Sequence, residues 1–575
     1  MEELDIVFLN LHRRYINYRA SYGGFRGIYL LSAFVRNEGY SAKSFAGSLK
    51  NGKEILDELC QTKSVAMVGL YCDFENITEN IFLSRYIKET YNLPVIVGGP
   101  QATALGKDFF TESKCDAVVR YEGELTVLEL MNFFLEDCGE LSEILGISYL
   151  DGDKIHVNAE RPLIKNLDAL PFVDEDCYIM PDDFYYDLSL MTGRGCPFSC
   201  AFCHEGTHTK KVRFRSAENV LAEIEAYLKK WRDGELYILF TDDTFTLNVD
   251  RVKKICEGLA ELRKEYDFNF FCEGHVHTLY QNPQMIDYLV KGGCVRIQLG
   301  IESGNDFVLK AYGKHSTTQE ILEVVKLCRD KGIQQIFGNI ILGGAHFSRE
   351  TFAADKKFAR QILEEGRGTL ELGVVTFWPL AETKMTNCPK LFGLEICDKE
   401  FVTSVGDFPQ TRTEDINRLE ICQMKTELQK EINAQMISML ENWEVPTDLV
   451  MKWFNTTNRN AHGLWFIELT KQEILYSYFE MLHLGEGFHS SDIENISTAH
   501  PMRVVQLSKY LKRIDDDTAE ICGEIFSGKE LEVVLLTAGK LSVAEIANRI
   551  GITIDEVTKI LGRLEPKHFI VYAPN

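Results

Sequence analysis

Short β-rich apolar runs and helical stretches alternate twice along this chain, and that alternation restricts its fold more than any other feature. In residues 1–138 the strand candidates are Asp5–Leu9, Ser41–Phe45, Val65–Leu70, Val95–Gly98 and Ala117–Val119. Helical patterns at Gly27–Asn37, Lys53–Cys60, Ile77–Tyr91, Gln101–Phe110 and Glu124–Leu135 lie between them. Strands separated by helices at this spacing imply a parallel sheet covered on both faces. Such sheets bind ligands beyond the carboxyl ends of their strands. Those ends read Tyr71-Cys72-Asp73-Phe74, Gly98-Gly99-Pro100-Gln101 and Tyr121-Glu122-Gly123-Glu124, where glycine lets a large ligand approach the backbone.

The alternation resumes over residues 181–385, with strands expected at Leu188–Thr192, Leu236–Phe240, Asn269–Cys272, Val295–Gly300, Gln335–Leu342 and Leu372–Phe377. Six βα units predict a partial (β/α)6 barrel, whose chemistry would sit at the carboxyl ends of the strands. Residues 141–180 between the two α/β parts read as a linker with a small hairpin turning at Asp151-Gly152-Asp153. Residues 386–528 are mainly helical, with a long amphipathic candidate at Glu414–Leu440. Residues 529–575 hold helical patterns at Leu531–Thr537, Val543–Ile550 and Ile554–Leu564 and a strand at His568–Tyr572, an order that resembles a winged helix. The expected domains are therefore 1–140, 141–180, 181–385, 386–528 and 529–575.

A chain of 575 residues exceeds the roughly 250–300 at which single cores stop growing. A net charge of −24 opposes broad nucleic-acid binding, which needs clustered Lys and Arg. No apolar run approaches the ~20 residues of a membrane helix, and Met1-Glu2-Glu3-Leu4-Asp5 lacks a signal-peptide start. Sixteen cysteines without such a signal point to the reducing cytoplasm rather than to a disulfide scaffold.

Three of those cysteines carry chemistry. Cys196, Cys200 and Cys203 form a C-x3-C-x2-C run directly after the first strand of the second α/β part. Thiolates are the usual ligands of iron–sulfur clusters, and three on one loop can hold a 4Fe–4S cube with one iron open. The competing reading is a zinc knuckle completed by His204 or His208. The spacing, with Phe202 just before the last cysteine, resembles the cluster loop of radical S-adenosylmethionine (SAM) enzymes.

Taken together, residues 1–385 resemble the cobalamin-binding radical SAM enzyme family. The matching segments are Val95–Gln101, Asp116–Glu124, the Leu-Asp-x-Leu-Pro bridge at 167–171, Arg213-Phe214-Arg215-Ser216, Asp242-Asp243-Thr244-Phe245 and Gln298–Gly304. The resemblance implies a Rossmann-like cobalamin domain followed by the barrel, and three cofactors: a 4Fe–4S cluster on Cys196, Cys200 and Cys203, SAM and cobalamin. It implies cobalamin contacts from Tyr71, Cys72, Phe74, Gly98, Gly99, Pro100, Gln101, Tyr121, Glu122, Gly123 and Glu124. It places Phe202, Asp242, Asp243, Glu302, Ser303 and Gly343 around SAM. The activity it implies is cleavage of SAM to a 5′-deoxyadenosyl radical and C-methylation of an unactivated carbon via methylcobalamin. The same parts serve cyclisation, ring contraction or oxidation elsewhere in that family. Expected partners are a small-molecule or peptide substrate and an electron donor such as flavodoxin or ferredoxin, with neither membrane nor nucleic acid.

Two loops depart from the family pattern. Trp378-Pro379-Leu380 stands where Pro-Gly-Thr is common, and Gly343-Gly344-Ala345-His346 replaces a Pro-Gly-Glu-like turn. No Asp-x-His-x-x-Gly motif is present, and His12 is the lone histidine of residues 1–150, so a histidine ligand to cobalt is not expected. A methylthiotransferase would need a second three-cysteine set, which Cys60, Cys72, Cys115 and Cys138 are too dispersed to form. A cobalamin-sensing regulator would need a basic DNA reader, and residues 540–575 are close to neutral. Glu545, Asp555 and Glu556 would suit a basic partner of the last module, although a structural role is the leading expectation for it.

Overall fold

The structure is a computed structural model. It describes residues 3–12, 26–62, 65–101, 104–179, 188–204, 211–230, 236–397, 408–442, 444–446, 449–450, 463–471, 490–493, 495–503, 511–515, 517–521, 523–537, 541–565 and 570–573. The described chain divides into two compact units: residues 1–333, 337–359 and 372–429 in one, residues 334–336, 360–371 and 430–575 in the other.

The first unit opens with a seven-stranded sheet in the order β2-β1-β3-β4-β5-β6-β7. Its strands are β1 (Leu4–His12), β2 (Ala42–Ser48), β3 (Val65–Tyr71), β4 (Val95–Gly98), β5 (Ala117–Val119), β6 (Ile147–Asp151) and β7 (Lys154–Val157). The first five pair in parallel. Their order 2-1-3-4-5 puts a topological switch between β1 and β3, the place where such sheets open a ligand crevice. Alternation in β1 explains the two layers. Ile6 and Phe8 face one apolar core with helices α1 (Arg26–Asn37) and α5 (Glu124–Glu136). Val7, Leu9 and Leu11 face the other with α2 (Leu49–Thr62), α3 (Ile77–Tyr91) and α4 (Lys107–Ser113).

Two elements differ from the sequence reading. The helix expected at Gln101–Phe110 begins instead at Lys107, after Gly106. Glycine is the poorest helix former after proline. The 147–157 hairpin, expected inside a linker, pairs antiparallel with β5 and extends the main sheet.

A second sheet runs β8 (Leu188–Leu190), β11 (Leu236–Phe240), β12 (Phe268–Gly274), β13 (Cys294–Leu299), β14 (Gln335–Leu342) and β15 (Leu370–Thr376) in sequential order. β8, β11, β12 and β13 pair in parallel. With β8 and β15 at its edges the sheet is an arc rather than a closed ring. Between β8 and β11 stands a small antiparallel pair, β9 (Gly193–Arg194) and β10 (Arg213–Phe214), and the cysteine loop is the segment it closes. The long helix expected from Glu414 runs Arg418–Glu441.

In the second unit, helices Lys529–Leu536, Val543–Ile550 and Ile554–Leu561 share one core with Ala499, Phe526 and Tyr572. Strand β22 (Ile570–Ala573) pairs antiparallel with β18 (His500–Arg503). A separate three-stranded sheet joins β19 (Leu511–Arg513), β20 (Thr518–Ile521) and β21 (Glu524–Ser527). Glu545 and Glu556, which would suit a basic partner, close capping boxes with Ser542 and Thr553. Each carboxylate accepts from the backbone it caps, which is a local reason for its presence. Among the described residues no helix is long and apolar enough to cross a membrane.

Candidate active site

Cys196, Cys200 and Cys203 are half-buried on the loop that leaves β9 at the carboxyl edge of the second sheet. Gly195, at a φ of 91°, makes the turn into the loop and donates its N–H to Asp243 Oδ2 at 3.1 Å. The loop is stitched at both sides. Ala201 N donates to Tyr312 O at 2.8 Å, and Met385 N donates to Ala201 O at 2.9 Å. Gly313 allows close passage, because a Cβ there would lie 3.0 Å from Ser199 O. The Phe198 ring stacks on His275 at 3.7 Å.

Burial holds the Cys196 and Cys200 thiols above their usual range, and the Lys314 ammonium opposes that burial at both. Metal loading must therefore expel protons. Burial and then Lys314 push His275 down to about 3, so the ring beside the loop stays neutral. Among the described residues no three His, Cys, Asp or Glu side chains converge on one metal ion. A cubane, which spreads its thiolates over separate irons, asks for no such convergence. His208, the alternative zinc ligand, lies outside the described residues.

A cavity of about 470 Å³ opens between the carboxyl edge of the first sheet and this loop. Of the residues expected to bind cofactor, Tyr71, Gly98, Gly99, Pro100, Tyr121, Glu122, Gly123, Glu124 and Asp243 line it. Its apolar depth comes from Phe8, Leu70, Ile96 and Val119 on the sheet and Ile28, Leu30 and Leu31 on α1. Met191, Arg194 and His204 reach it from the other side. Gly99 is required by geometry: its φ is 113°, and a Cβ would fall 2.6 Å from Cys72 O.

The other expected site residues do not border this cavity. Cys72 is wholly buried, with its backbone bonded to Gly98 and Gln101, so it supports the crevice floor from inside the core. Phe74 packs near Trp378 at 6.3 Å, and neither Phe74 nor Gln101 borders the cavity. Phe202 packs edge-on against Tyr312 in a core cluster. Asp242 is 3% exposed and accepts from Thr192 N at 2.5 Å and from the Thr192 hydroxyl, with Arg251 3.8 Å away. Its carboxylate is thus spent on holding the strand end that precedes the cysteine loop. Ser303 is tied to Asp355 at 2.7 Å, and Gly304 N donates to the same oxygen. Gly343 accepts from Thr411 at 2.8 Å and packs on Ile421. Glu302, at a φ of 61°, pairs with Lys314 at 3.2 Å. Burial works against the Lys314 charge, and Glu302 with the Cys200 and Cys203 sulfurs outweighs it, leaving the ammonium firmly protonated.

The sequence reading missed Lys314, Asp355 and Arg194. Arg194 stood in plain view inside Gly-Arg-Gly-Cys, yet its partners, Glu122 and Glu124, come from about 70 residues upstream. Both acids line the cavity while their charge is committed to arginine.

Residues 190–359 match the family model of the radical SAM superfamily. An uncharacterized methyltransferase of Pyrococcus horikoshii is 34% identical over 295 residues, half of this chain and 60% of that protein. The chain thus spans less than two thirds of that relative. The methyltransferase TsrM of Kitasatospora setae, solved with tryptophan and a SAM analogue, superposes with a TM-score of 0.55 at 15% identity, covering 68% of this chain and 78% of TsrM. The radical enzyme OxsB, solved with aqua-cobalamin and SAM, gives 0.54 at 19%, covering 84% and 73%. At such identities these two likenesses establish the fold.

Proposed function

We propose that this chain, whose residues 190–359 match the radical SAM superfamily, is a cobalamin-binding radical SAM enzyme that methylates an unactivated carbon of a small molecule or peptide. The observation that supports this reading is the single cavity walled by both the crevice of the first sheet and the cysteine loop. The donor set fits a 4Fe–4S cluster: three half-buried thiols on one hydrogen-bonded loop, one for each of three irons. The crevice fits a corrinoid, being glycine-edged at Gly98, Gly99 and Gly123 and apolar in its depth. When bound, these groups supply homolytic cleavage of SAM for hydrogen abstraction and a methyl group for transfer.

The chain's own part is placement. Asp243 fixes Gly195 and with it the start of the cysteine loop. Asp355 holds Ser303 and Gly304, and Lys314 holds Glu302, so the turn after β13 presents a fixed edge toward SAM. Residues 529–575 read as a winged-helix-like module with a structural role, and their shared core with residues 499–526 supports that role. A flavodoxin- or ferredoxin-type donor and a cytoplasmic setting complete the proposal.

The test is anaerobic reconstitution with iron, sulfide and cobalamin, followed by metal counting and product analysis. Methylation yields 5′-deoxyadenosine and S-adenosylhomocysteine in roughly equal amounts, because one SAM is cleaved and another gives its methyl. Deoxyadenosine without S-adenosylhomocysteine would sink methyl transfer and leave a non-methylating radical reaction.

A further inference from the structure

Arg194 and Arg213 are direct cross-strand partners in the antiparallel pair that closes the cysteine loop. Like charges placed opposite each other repel, and both guanidinium groups are largely buried, at 16% and 6% side-chain exposure. What makes the pair tolerable comes from elsewhere in the chain. Glu122 Oε1 lies 3.1 Å from Arg194 Nη1 and 2.6 Å from Arg213 Nη2. Its other oxygen accepts from Arg213 Nη1 at 3.0 Å and from Ile164 N at 2.8 Å. Glu124 takes the far end of Arg194. Tyr121, at a φ of 62°, makes the turn that carries both acids.

We propose that Glu122, inserted between Arg194 and Arg213, is a clasp on the neck of the cysteine loop, so that a turn of the first sheet sets the geometry in which Cys196, Cys200 and Cys203 receive metal. Burial would raise the Glu122 carboxyl, but the two arginines overcome it and hold it ionised. Glu122 is thereby a positioning residue acting through the arginines, of which Arg194 stands two residues before Cys196 along the chain. The clasp also ties the cavity's rim to the cysteine loop, since Glu122, Glu124 and Arg194 border that cavity. This inference rests on the cluster reading of the three cysteines, and its test has an arm that needs no metal.

In the metal-free chain, iodoacetamide labelling of Cys196, Cys200 and Cys203 is followed by mass spectrometry, with exposed Cys388 as the internal reference. Glu122→Gln leaves two buried arginines facing each other, and labelling of the three loop cysteines should quicken about tenfold relative to Cys388. In the reconstituted chain the same variant should lose iron to a chelator about tenfold faster than the parent. The double variant Glu122→Gln/Arg213→Gln removes one of the opposed charges and leaves Arg194 with Glu124, so it should recover most of both losses. A merely packed glutamate would give no such recovery. Should Glu122→Gln not fold, Glu124→Gln, which gives up one contact to Arg194, reads the same clasp with a severalfold effect. Unchanged labelling and iron retention in the folded variants, or a double variant worse than the single one, overturns the clasp. Failure of the parent chain to take up four irons would overturn the cluster reading instead, while the labelling arm still judges the clasp.

Discussion

Gly98 and Gly99 are adjacent on the rim of the cavity, yet the structure assigns them opposite tolerances. At Gly99 a Cβ would lie 2.6 Å from Cys72 O and 3.0 Å from Cys72 N, and both are backbone atoms that cannot rotate away. Its φ of 113° adds strain for any L side chain. The left-handed backbone costs about 1–2 kcal/mol and overpacking against fixed atoms about 1–3 kcal/mol. Gly99→Ala should therefore destabilise the first sheet by roughly 2–5 kcal/mol. At Gly98 the nearest atom to a Cβ is a Val119 carbon at 3.5 Å, an ordinary contact, and φ is not positive. Gly98→Ala should change stability by less than about 1 kcal/mol, in either direction. Urea unfolding reports the stability difference, and absorbance titration with hydroxocobalamin reports the crevice. Loss of affinity of at least about tenfold in Gly99→Ala corresponds to about 1.4 kcal/mol, well within the strain available. Equal urea midpoints and equal cobalamin affinities for the two variants would refute the reasoning, because sequence position alone does not separate these glycines.

Replacing Cys196, Cys200 and Cys203 together by Ala should remove iron and SAM cleavage while cobalamin still binds, which metal analysis and optical spectra check. Asp355 is 2% exposed and burial raises its carboxyl to about 6 from an ordinary 3.8. A raised folded value means stability present below about pH 4 and lost as pH climbs through 6, near 1.4 kcal/mol per unit or roughly 3 kcal/mol in all. Asp355→Asn keeps an oxygen for Ser303 and Gly304, so its unfolding midpoint should fall less than the parent's between pH 4 and 7; parallel profiles would contradict this. Gly300→Ala should loosen the Lys314–Glu302 pair, since a Cβ there falls 2.2 Å from Lys314 Nζ, and calorimetry should show weaker SAM binding to the reconstituted chain. Deleting residues 529–575 removes most of the core they share with Ala499 and Phe526, so the truncated chain should precipitate on gel filtration, whereas a soluble monomer would show that core to be dispensable.

Much of this molecule was legible in its sequence for local reasons. Hydrophobic period and glycine punctuation located β3, β4, β5, β11 and β14 and the helices α3 and α5 within a residue or two, because strands and helices answer to neighbours one to four positions away. The three cysteines were legible for the same reason: ligand spacing on one loop is a property of the segment itself. What only the tertiary structure decided is how charge is shared between segments. The acids of the Tyr121–Glu124 turn looked like ligand contacts, and they are committed to Arg194 and Arg213, which folding brings to them from about 70 and 90 residues away. Asp242 and Ser303, expected beside SAM, also hydrogen-bond Thr192 and Asp355, which folding brings from about 50 residues away. A buried carboxylate must find a partner to remain in the interior, and nothing in a linear pattern records which cation or donor will stand beside it. The sequence by itself determined the two sheets and the thiol loop; the fold determined which acids were left to meet a ligand.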